Sequence, residues 1–393
     1  MTFNDVRNTD LLKVALIPDK FAHYRYPVFE ALSRWEANAY ELHIYADDNP
    51  NSNIKLADAK YCDLNYENGN IYWHLVKDKF VKGVCVWQRG VVSVGVKGEY
   101  DVLVYWGDAW RISTWFSAIL ARLKGKKVVF WTHGVYGNEN ILKLTLRLCF
   151  YRIANSLLLY GQHSKNMLAA KGFQQRNMFV INNSLDYKQQ SENYHDLVGR
   201  PIKPIFPGDN SRRIFIFVGR LEAGKSLNML ITAIEHLGAA GEDVGLMLVG
   251  DGSCRNELEV LSVKLGVSHK VIFYGACYDQ KELSSLLMAS DVCVSPGNVG
   301  LTAMQSLVYG TPVVTHDDPA KQMPEFEAVV EARSGALFTY GSQESLEQAM
   351  LRCLGYLDSG RVHASSCISV IEESYNPEFQ TSVFKEMLKS LYV

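Results

Sequence analysis

Two basic side chains, Arg220 and Lys225, stand five residues apart in a segment with glycines near both ends, Gly219–Ser226 (GRLEAGKS). An apolar strand-length run, Arg213–Val218, precedes the segment, and apolar residues at helical spacing follow it. A turn between a strand and a helix lets both cations face one diphosphate, to which charge-assisted hydrogen bonds are strong. The segment therefore predicts a binding site for a diphosphate.

The same eight residues match the P-loop pattern G-x-x-x-x-G-K-[ST]. A nucleotide hydrolase or kinase is therefore an open alternative. It ranks second because a P-loop enzyme also needs an acidic magnesium ligand at the end of an apolar strand. The nearby candidate, Asp251, stands inside a Gly-Asp-Gly turn, and a complete α/β half precedes the motif.

A second glycine-containing loop, Ser295–Leu301 (SPGNVGL), follows an apolar run and opens a helical pattern. Gly297 and Gly300 allow positive φ and a close approach of the backbone to a ligand. A helix that begins near Leu301 offers N–H groups and a positive dipole end, which bind phosphate readily. Thr302 is placed to add a hydroxyl hydrogen bond. This loop is a second candidate for the same diphosphate.

Both halves of the chain alternate short apolar runs with helical patterns, which indicates α/β structure with parallel sheets. We predict two Rossmann-like, doubly wound domains that face each other across a cleft. The first spans residues 1–200 and the second 205–374, and a C-terminal helix at 375–393 packs back on the first. The polar stretch Gln189–Asn210 is interpreted as the linker. The valine-rich stretch Val84–Val96 is interpreted as a pair of strands.

Composition narrows the class of protein. A length of 393 residues suggests two domains, and a net charge of −2 gives no reason to expect a nucleic-acid partner. The eight cysteines are too scattered for a zinc site or a disulfide framework, so we expect a reducing, cytoplasmic environment. No signal-peptide pattern and no apolar run long enough to span a bilayer is present, and no Asp-x-Asp triplet occurs, so we expect no metal and no cofactor.

Four segments of the second half, taken in order, resemble the donor domain of glycosyltransferase family 4, a large family with the GT-B fold. They are VGRLEAGKSLNMLITAIEHL, LMLVGDGSCRNELE, VIFYGAC and ASDVCVSPGNVGLTAMQSLVYGTPVVTH. The first half is similar more loosely, through WTHGVYG and ANSLLLYGQHSKNMLAAKGF. The resemblance is strongest over residues 213–340. It is closest to members that act in bacterial surface-polysaccharide assembly, of the O-antigen, capsule or exopolysaccharide type.

The resemblance implies a retaining transfer from a nucleotide diphosphate sugar to a glycan or lipid-linked acceptor. Arg220 and Lys225 would hold the diphosphate, and His133 would approach the donor sugar near its anomeric centre. The donor site implied by the matched segments also includes Gly219, Gly250, Tyr274, Gly297, Asn298, Val299, Gly300, Leu301, Thr302 and Gln305.

The chain departs from the family at two positions. The family carries two glutamates with seven residues between them, and the corresponding positions here hold Gly297 and Gln305. Gln305 can still hydrogen-bond hydroxyl groups, whereas Gly297 has no side chain with which to contact the sugar. Asn298 or backbone groups are expected to substitute. The departure also keeps open a catalytically silent GT-B relative that acts as a binding protein.

The acceptor is expected to meet loops of the first half. Asp19, Tyr24 and Arg25 follow the first predicted strand, and Trp106 and Asp108 follow another. Aromatic rings and carboxylates together suit sugar recognition, and the two aspartates are the candidate bases if the reaction inverts.

The predicted helix Ile141–Arg152 combines apolar residues with Lys143, Arg147 and Arg152. A basic amphipathic helix can rest on a membrane surface. Peripheral contact with the inner face of the cell membrane is therefore a further expectation.

Overall fold

The computed structural model describes residues 12–34, 40–47, 71–81, 84–201, 205–206 and 212–392. They form two compact units. Unit 1 holds the described residues up to Ser184 together with those from Pro377 onward, and unit 2 holds Leu185–Asn376. Of the predicted linker, Pro204, Pro207 and Gly208 lie outside the described residues.

Unit 1 is a parallel sheet covered by helices on both faces. Its strands are β1 (Leu12–Ile17), β2 (Tyr40–Ala46), β3 (Ile71–Leu75), β4 (Asp78–Val81), β5 (Val84–Gln88), β6 (Val102–Trp106), β7 (Lys127–Thr132), β8 (Ser156–Leu159) and β9 (Met178–Val180). Its helices up to Ser184 are α1 (Tyr26–Arg34), α2 (Val91–Lys97), α3 (Ile112–Leu123), α4 (Ile141–Tyr151) and α5 (Gln162–Ala170). In the described residues the sheet has the order β3-β2-β1-β6-β7-β8-β9, and β4 and β5 form a separate antiparallel hairpin.

Unit 2 repeats this plan. Its strands are β10 (Arg213–Val218), β11 (Val244–Val249), β12 (Val271–Gly275), β13 (Val292–Ser295), β14 (Val313–His316) and β15 (Gly335–Phe338). Its helices are α6 (Tyr187–Leu197), α7 (Asn228–Ala239), α8 (Arg255–Lys264), α9 (Gln280–Met288), α10 (Leu301–Leu307), α11 (Gln343–Asp358) and α12 (Ala364–Ser374). The sheet order in the described residues is β12-β11-β10-β13-β14-β15, with every pairing parallel.

The two strand orders confirm the predicted doubly wound α/β class. In each sheet the order reverses beside the first strand, between β1 and β6 in unit 1 and between β10 and β13 in unit 2. The loops diverge at such a switch point and leave a crevice at the carboxyl ends of the strands, where ligands bind. Both glycine-containing loops named above leave strands that flank the switch point of unit 2.

The last helix, α13 (Pro377–Ser390), packs on unit 1. Phe384, Met387 and Leu388 are buried in the same apolar cluster as β1 and α1. The Gln380 side chain donates to the Asn182 carbonyl at 2.7 Å and accepts from the Ser184 hydroxyl at 2.6 Å. Apolar burial and buried hydrogen bonds thus hold the chain end on this unit.

The interpretation of Val84–Val96 as two strands is wrong for its second part. Val84–Gln88 is β5, whereas Val91–Lys97 is helix α2. Gly90, with φ +90°, turns the chain between them. Val91 and Val94 are then buried together because residues three apart share one face of a helix.

Helix α6 (Tyr187–Leu197) extends into the predicted linker, Gln189–Asn210. The Asp186 side chain caps this helix by accepting from the Gln189 N–H at 3.1 Å. Leu185, Tyr187 and Tyr194 pack against an apolar cluster of unit 2. Because of this packing the chain from Leu185 groups with unit 2, although the predicted limits place it in the first domain.

Among the described residues, no helix combines the length and the apolar character that crossing a bilayer requires.

Candidate functional site

The strand-end loops of unit 2 approach one another through glycine backbone. Gly219 and Gly250 follow β10 and β11, and both have φ of +149°. A Cβ atom on Gly250 would lie 1.8 Å from the Gly219 carbonyl oxygen, so only glycine fits there. The Gly219 N–H donates to the Val249 carbonyl at 2.9 Å, and the Gly250 N–H to the Gly275 carbonyl at 2.8 Å. Backbone contacts thus fix where each loop begins.

The loop after β13 packs directly on the loop after β10. A Cβ atom on Gly297 would lie 2.4 Å from the Gly224 carbonyl oxygen and 2.8 Å from Cα of Lys225. The Gly297 N–H donates to the Lys225 carbonyl at 3.0 Å. A side chain at Gly297 would therefore force the two loops apart. This contact is a physical reason why a glutamate does not fit at this position of the chain.

Lys225 reaches across this junction. Its Nζ donates to the Asn298 carbonyl at 2.7 Å and to Asn298 Oδ1 at 2.5 Å. Burial is the main cause that lowers the pKa of Lys225, and the nearby Arg220 lowers it further. A partly desolvated ammonium group held by two neutral oxygens would be stabilised further by a phosphate oxygen. The structure therefore brings two of the predicted donor residues, Lys225 and Asn298, into direct contact.

Arg220 does not share these contacts. Its side chain is 76% exposed, and its Nη1 lies 2.9 Å from Glu222 Oε1. An exposed ion pair of this kind contributes little stability, so exchanging the carboxylate for a phosphate costs little. Lys225 thus contacts the loop that precedes α10, whereas Arg220 is paired with Glu222. The convergence of both cations on one diphosphate stays a prediction, and it requires the Arg220 side chain to move.

The short helix α10 is tied to the sheet beside this junction. Gly300 precedes it with φ +53°, and the Thr302 hydroxyl donates to the Val218 carbonyl at 3.1 Å. The hydroxyl proton of Thr302 is therefore engaged with the end of β10 and is not directed at a ligand. The buried Gln322 accepts from the Val299 N–H at 3.0 Å and donates to the His316 carbonyl at 3.0 Å. Gln322 was not predicted because it belongs to no sequence motif, yet its two hydrogen bonds connect this loop to the end of β14.

Two further predicted donor residues contact the start of α9. Gln305 Nε2 lies 3.4 Å from Gln280 Oε1, and the Tyr274 hydroxyl is hydrogen-bonded to Glu282. The Glu282 carboxylate is the main cause that raises the pKa of Tyr274 to about 12. Gln280 and Glu282 were not predicted because the helical pattern that contains them has no distinctive motif.

In unit 1, His133 follows β7 and lies under aromatic rings. Its ring centroid is 4.6 Å from that of Tyr160 and 6.3 Å from that of Tyr136. Its buried Nδ1 has no hydrogen-bond partner among the residues that the structure describes. Burial is the main cause that lowers the pKa of His133 to about 4, with further effects from Arg25 and Arg147. At neutral pH the imidazole is therefore uncharged, and it can donate or accept a hydrogen bond.

Arg25 is buried among aromatic side chains. Its guanidinium carbon lies 5.1 to 5.7 Å from the centroids of four rings, those of Tyr24, Trp106, Trp131 and Tyr160. Its Nη2 donates to the Tyr160 hydroxyl at 2.6 Å. Three predicted acceptor residues, Tyr24, Arg25 and Trp106, are thus brought together, and Tyr160 joins them to His133. Sequence reasoning missed Trp131 and Tyr160 because they read as ordinary strand residues.

The two candidate bases, Asp19 and Asp108, converge on one buried arginine. Arg111 Nη2 lies 3.6 Å from Asp19 Oδ2, and Arg111 Nε lies 3.7 Å from Asp108 Oδ2. A third carboxylate, that of Asp78 on the β4–β5 hairpin, is 3.4 Å from Nη1. The Asp19 and Asp108 side chains remain partly exposed at this edge. Arg111 therefore positions the loops after β1 and β6, and sequence gave no sign of the contribution from Asp78.

In the part of the chain that the structure describes, no three His, Cys, Asp or Glu side chains are grouped so that they could hold a metal ion.

Replacement of Gly297 by alanine is expected to destabilise unit 2 by about 1–3 kcal/mol, because the new Cβ overlaps the backbone of Gly224 and Lys225. Thermal unfolding measures the effect. The control is Gly224→Ala in the opposing loop, where a Cβ atom meets nothing within 4 Å. Equal melting temperatures for the two variants would contradict the loop-packing argument.

Protonation of His133 is expected only near pH 4. Because the pKa is lowered in the folded state, the unfolded chain binds the proton first as pH falls below about 6.5. Folding stability should therefore drop between about pH 6.5 and pH 4, by up to about 3 kcal/mol relative to His133→Gln. An NMR titration of the His133 ring and unfolding of both proteins across this window provide the test. A ring that titrates near pH 6.5 contradicts the assignment of a neutral imidazole.

The sequence and the fold are similar to those of known glycosyltransferases. Residues 201–355 match the family model described as "Glycosyl transferases group 1". A GDP-mannose-dependent alpha-(1-6)-phosphatidylinositol dimannoside mannosyltransferase of Mycobacterium tuberculosis is 32% identical over 126 residues, which are 31% of this chain and 31% of that protein. The putative glycosyltransferase EpsD of Bacillus subtilis is 22% identical over 258 residues, 62% of this chain and 64% of that protein. The chain thus spans less than two thirds of these curated relatives.

Two solved structures match nearly the whole chain. The lipopolysaccharide outer core galactosyltransferase WaaB, in its apo form, has a TM-score of 0.69 at 17% identity, covering 97% of this chain and all of that one. HepE of Anabaena, in complex with UDP, has a TM-score of 0.67 at 16% identity, covering 96% and 100%. At such identities the likeness establishes the fold. The chain has the GT-B fold, and its residues 201–355 match the model of the group 1 glycosyl transferases.

Proposed function

We propose that this protein transfers a sugar from a nucleotide diphosphate sugar to a hydroxyl group of a glycan or lipid-linked acceptor. The observation that carries the proposal is the junction of Lys225, Gly297 and Asn298, where two loops meet at the switch point of a parallel sheet. This junction lies inside the segment that matches the group 1 model. The solved HepE complexes contain UDP and UDP-glucose, and the mycobacterial relative is named for GDP-mannose, which supports a donor of this class.

The proposed chemistry follows from charge. Negative charge grows on the diphosphate as its bond to the sugar breaks, and a preorganised cation at that position lowers the barrier. Lys225 is already fixed by Asn298, so a phosphate oxygen needs only to replace one neutral acceptor. Arg220 supplies a second cation once it leaves Glu222. We propose that these groups take the place of a metal ion.

We propose that the transfer retains the anomeric configuration. Retention needs no protein carboxylate beside the sugar if the departing phosphate oxygen accepts the proton of the acceptor hydroxyl. The contact of Gly297 with the backbone of Lys225 is compatible with this route, because it leaves no room for a side chain at that position. His133, uncharged at neutral pH, is proposed to hydrogen-bond the donor sugar without placing a second positive charge there.

For the acceptor we propose the strand-end loops of unit 1. The half-buried rings of Tyr24 and Trp106 beside Arg25, with the partly exposed carboxylates of Asp19 and Asp108, suit the apolar faces and hydroxyl groups of a sugar. A role in bacterial surface-polysaccharide synthesis, in the cytoplasm or on the inner face of the membrane, is also proposed. It is supported by the likeness to WaaB, which is named for the lipopolysaccharide outer core.

The P-loop alternative is not favoured. The group 1 model spans GRLEAGKS as part of a glycosyl transferase domain, and Lys225 of that segment points to Asn298. Asp251, its candidate metal ligand, accepts the N–H of the neighbouring Gly252 at 2.8 Å. A catalytically silent protein with the same fold remains the second hypothesis, and transfer activity separates the two.

Replacement of Lys225 by alanine is expected to lower the transfer rate by about 10²–10³-fold, because it removes the cation fixed at the diphosphate. A panel of UDP- and GDP-sugars, with release of nucleotide diphosphate and appearance of glycoside as readouts, identifies the substrate on the unmodified protein. The control is Lys264→Ala, which changes an exposed lysine in the last turn of α8. Thermal stabilisation by ATP with magnesium and by no UDP or GDP compound would contradict the proposal.

With the donor identified, the rate of transfer is expected to be unchanged in excess chelator, because Lys225 and Arg220 are proposed to neutralise the leaving group. NMR of the product gives the anomeric configuration in the same experiment. A loss of activity that added magnesium or manganese restores would contradict the metal-independent mechanism, and an inverted product would contradict the proton route through the phosphate.

A further inference from the structure

Helix α3 of unit 1 presents large apolar side chains to solvent. Ile112, Phe116, Ile119, Leu120 and Leu123 are all exposed, Phe116 by 53% and Leu123 by 78%. Their spacing of four, three, one and three residues places them on one stripe of the helix. The opposite side, which packs on the sheet, carries the small residues Ser113, Ser117, Ala118 and Ala121. The usual amphipathic arrangement is thus reversed, with the larger apolar residues outside.

The β4–β5 hairpin extends this apolar stripe. The rings of Trp87 and Phe116 lie 6.2 Å apart, and the Gln88 N–H donates to the Ser113 hydroxyl at 2.9 Å. At the other strand of the hairpin, Phe80 and Val81 are exposed by 44% and 50%. We call the exposed apolar side chains of α3 and the hairpin the α3 surface. Apolar patches of this kind on soluble domains mark contact sites.

The charged side chains of α3 and the hairpin favour an anionic partner, and the adjoining carboxylates of Asp19 and Asp108 are paired with Arg111. Lys77, Lys79 and Arg89 are exposed on or next to the hairpin, and Arg122 and Lys124 are exposed at the C-terminal end of the stripe. The sequence has no Asp or Glu from residue 109 to residue 127. The hairpin carries one acid, Asp78, whose side chain is fully buried and faces Arg111. Over the described residues of these two segments, every exposed charged side chain is therefore positive.

We propose that the α3 surface docks on a bilayer that contains anionic phospholipids. The large apolar side chains would enter the region between headgroups and acyl chains, and the lysines and arginines would contact the headgroup phosphates. This surface differs from the predicted membrane helix Ile141–Arg152. On that helix Arg147 is paired with Glu139, with Nη1 2.7 Å from Oε1, whereas Ile141 and Leu142 are exposed by 75% and 78%, so membrane contact there stays a separate prediction.

The docking surface adjoins the candidate acceptor loops. Arg111 is the residue before α3, and it contacts Asp78 of the hairpin as well as Asp19 and Asp108. Trp110, exposed by 41%, lies between Asp108 and the helix. A lipid-linked saccharide in the same bilayer would therefore meet these loops without leaving the membrane. This last consequence rests on the proposed transfer to a lipid-linked acceptor, whereas binding to vesicles is measured without donor or acceptor.

Vesicle flotation with the full-length protein tests the proposal. We expect binding to vesicles of phosphatidylcholine with phosphatidylglycerol, little binding to phosphatidylcholine alone, and weaker binding at higher salt. The double variant Phe116→Ser/Leu123→Ser should bind at least about tenfold more weakly, since two large apolar side chains no longer enter the bilayer. Arg122→Gln/Lys124→Gln should lose most of the preference for anionic lipid.

The matched control is Val260→Ser/Val263→Ser, which removes two apolar side chains of α8 in unit 2, each exposed by 68%. This control should bind vesicles like the unmodified protein. Circular dichroism melting confirms that every variant is folded. Absence of vesicle binding by the unmodified protein, or equal binding by Phe116→Ser/Leu123→Ser, would overturn the proposal. The proposal would also be overturned if the unmodified protein formed a dimer that only Phe116→Ser/Leu123→Ser dissociates, and did not bind vesicles. A second copy of the chain would then cover the α3 surface. No nucleotide sugar is present, so failure of the proposed transfer leaves these results unaffected.

Discussion

The close packing of two backbone segments in unit 2 constrains the candidate donor site. Gly297 lies against the peptide between Gly224 and Lys225 with no space for a side chain, and its N–H is bonded to the Lys225 carbonyl. A contact between two backbone segments is better defined than a contact made by a long side chain, because fixing the rotamers of such a side chain costs entropy. The contact therefore sets where the Lys225 ammonium can reach, and Asn298, the next residue along, supplies both oxygens that hold it.

This constraint gives a physical reason for the glycine at the first of the two positions where the family that the sequence resembles has glutamates. A carboxylate near Lys225 would compete with a phosphate for the ammonium, whereas the neutral oxygens of Asn298 give way at a smaller cost. Gly297 and Asn298 thus act together. Gly297 allows the two loops to pack closely, and Asn298 holds the Lys225 ammonium with neutral oxygens instead of a carboxylate. The Gln322 side chain stabilises the same loop by accepting a hydrogen bond from the Val299 N–H.

Unit 1 is organised around two buried guanidinium groups. Arg25 lies within a set of aromatic rings, and Arg111 lies among the carboxylates of Asp19, Asp78 and Asp108. A buried charge is costly unless oppositely charged or polarisable groups surround it, so each arginine keeps its neighbours in place. Arg25 also contributes to the lowered pKa of His133. Through Asp78, Arg111 further ties the β4–β5 hairpin to the start of α3.

The sequence by itself determined the α/β class, the doubly wound plan and the two glycine-containing loops. Apolar periodicity reports which residues of one element face inward, and glycine marks where backbones must come close. Apolar periodicity did not predict two helices that depend on tertiary packing. Helix α2 lies where a strand was predicted, and α6 extends into the predicted linker because Tyr187 and Tyr194 pack against an apolar cluster of unit 2. The pairs that organise the site were decided by the tertiary structure alone. Arg25 and Tyr160 are 135 residues apart, Lys225 and Asn298 are 73 apart, and Asp78 and Arg111 are 33 apart. Sheet topology brings such residues together, and no local pattern records which strand ends become neighbours.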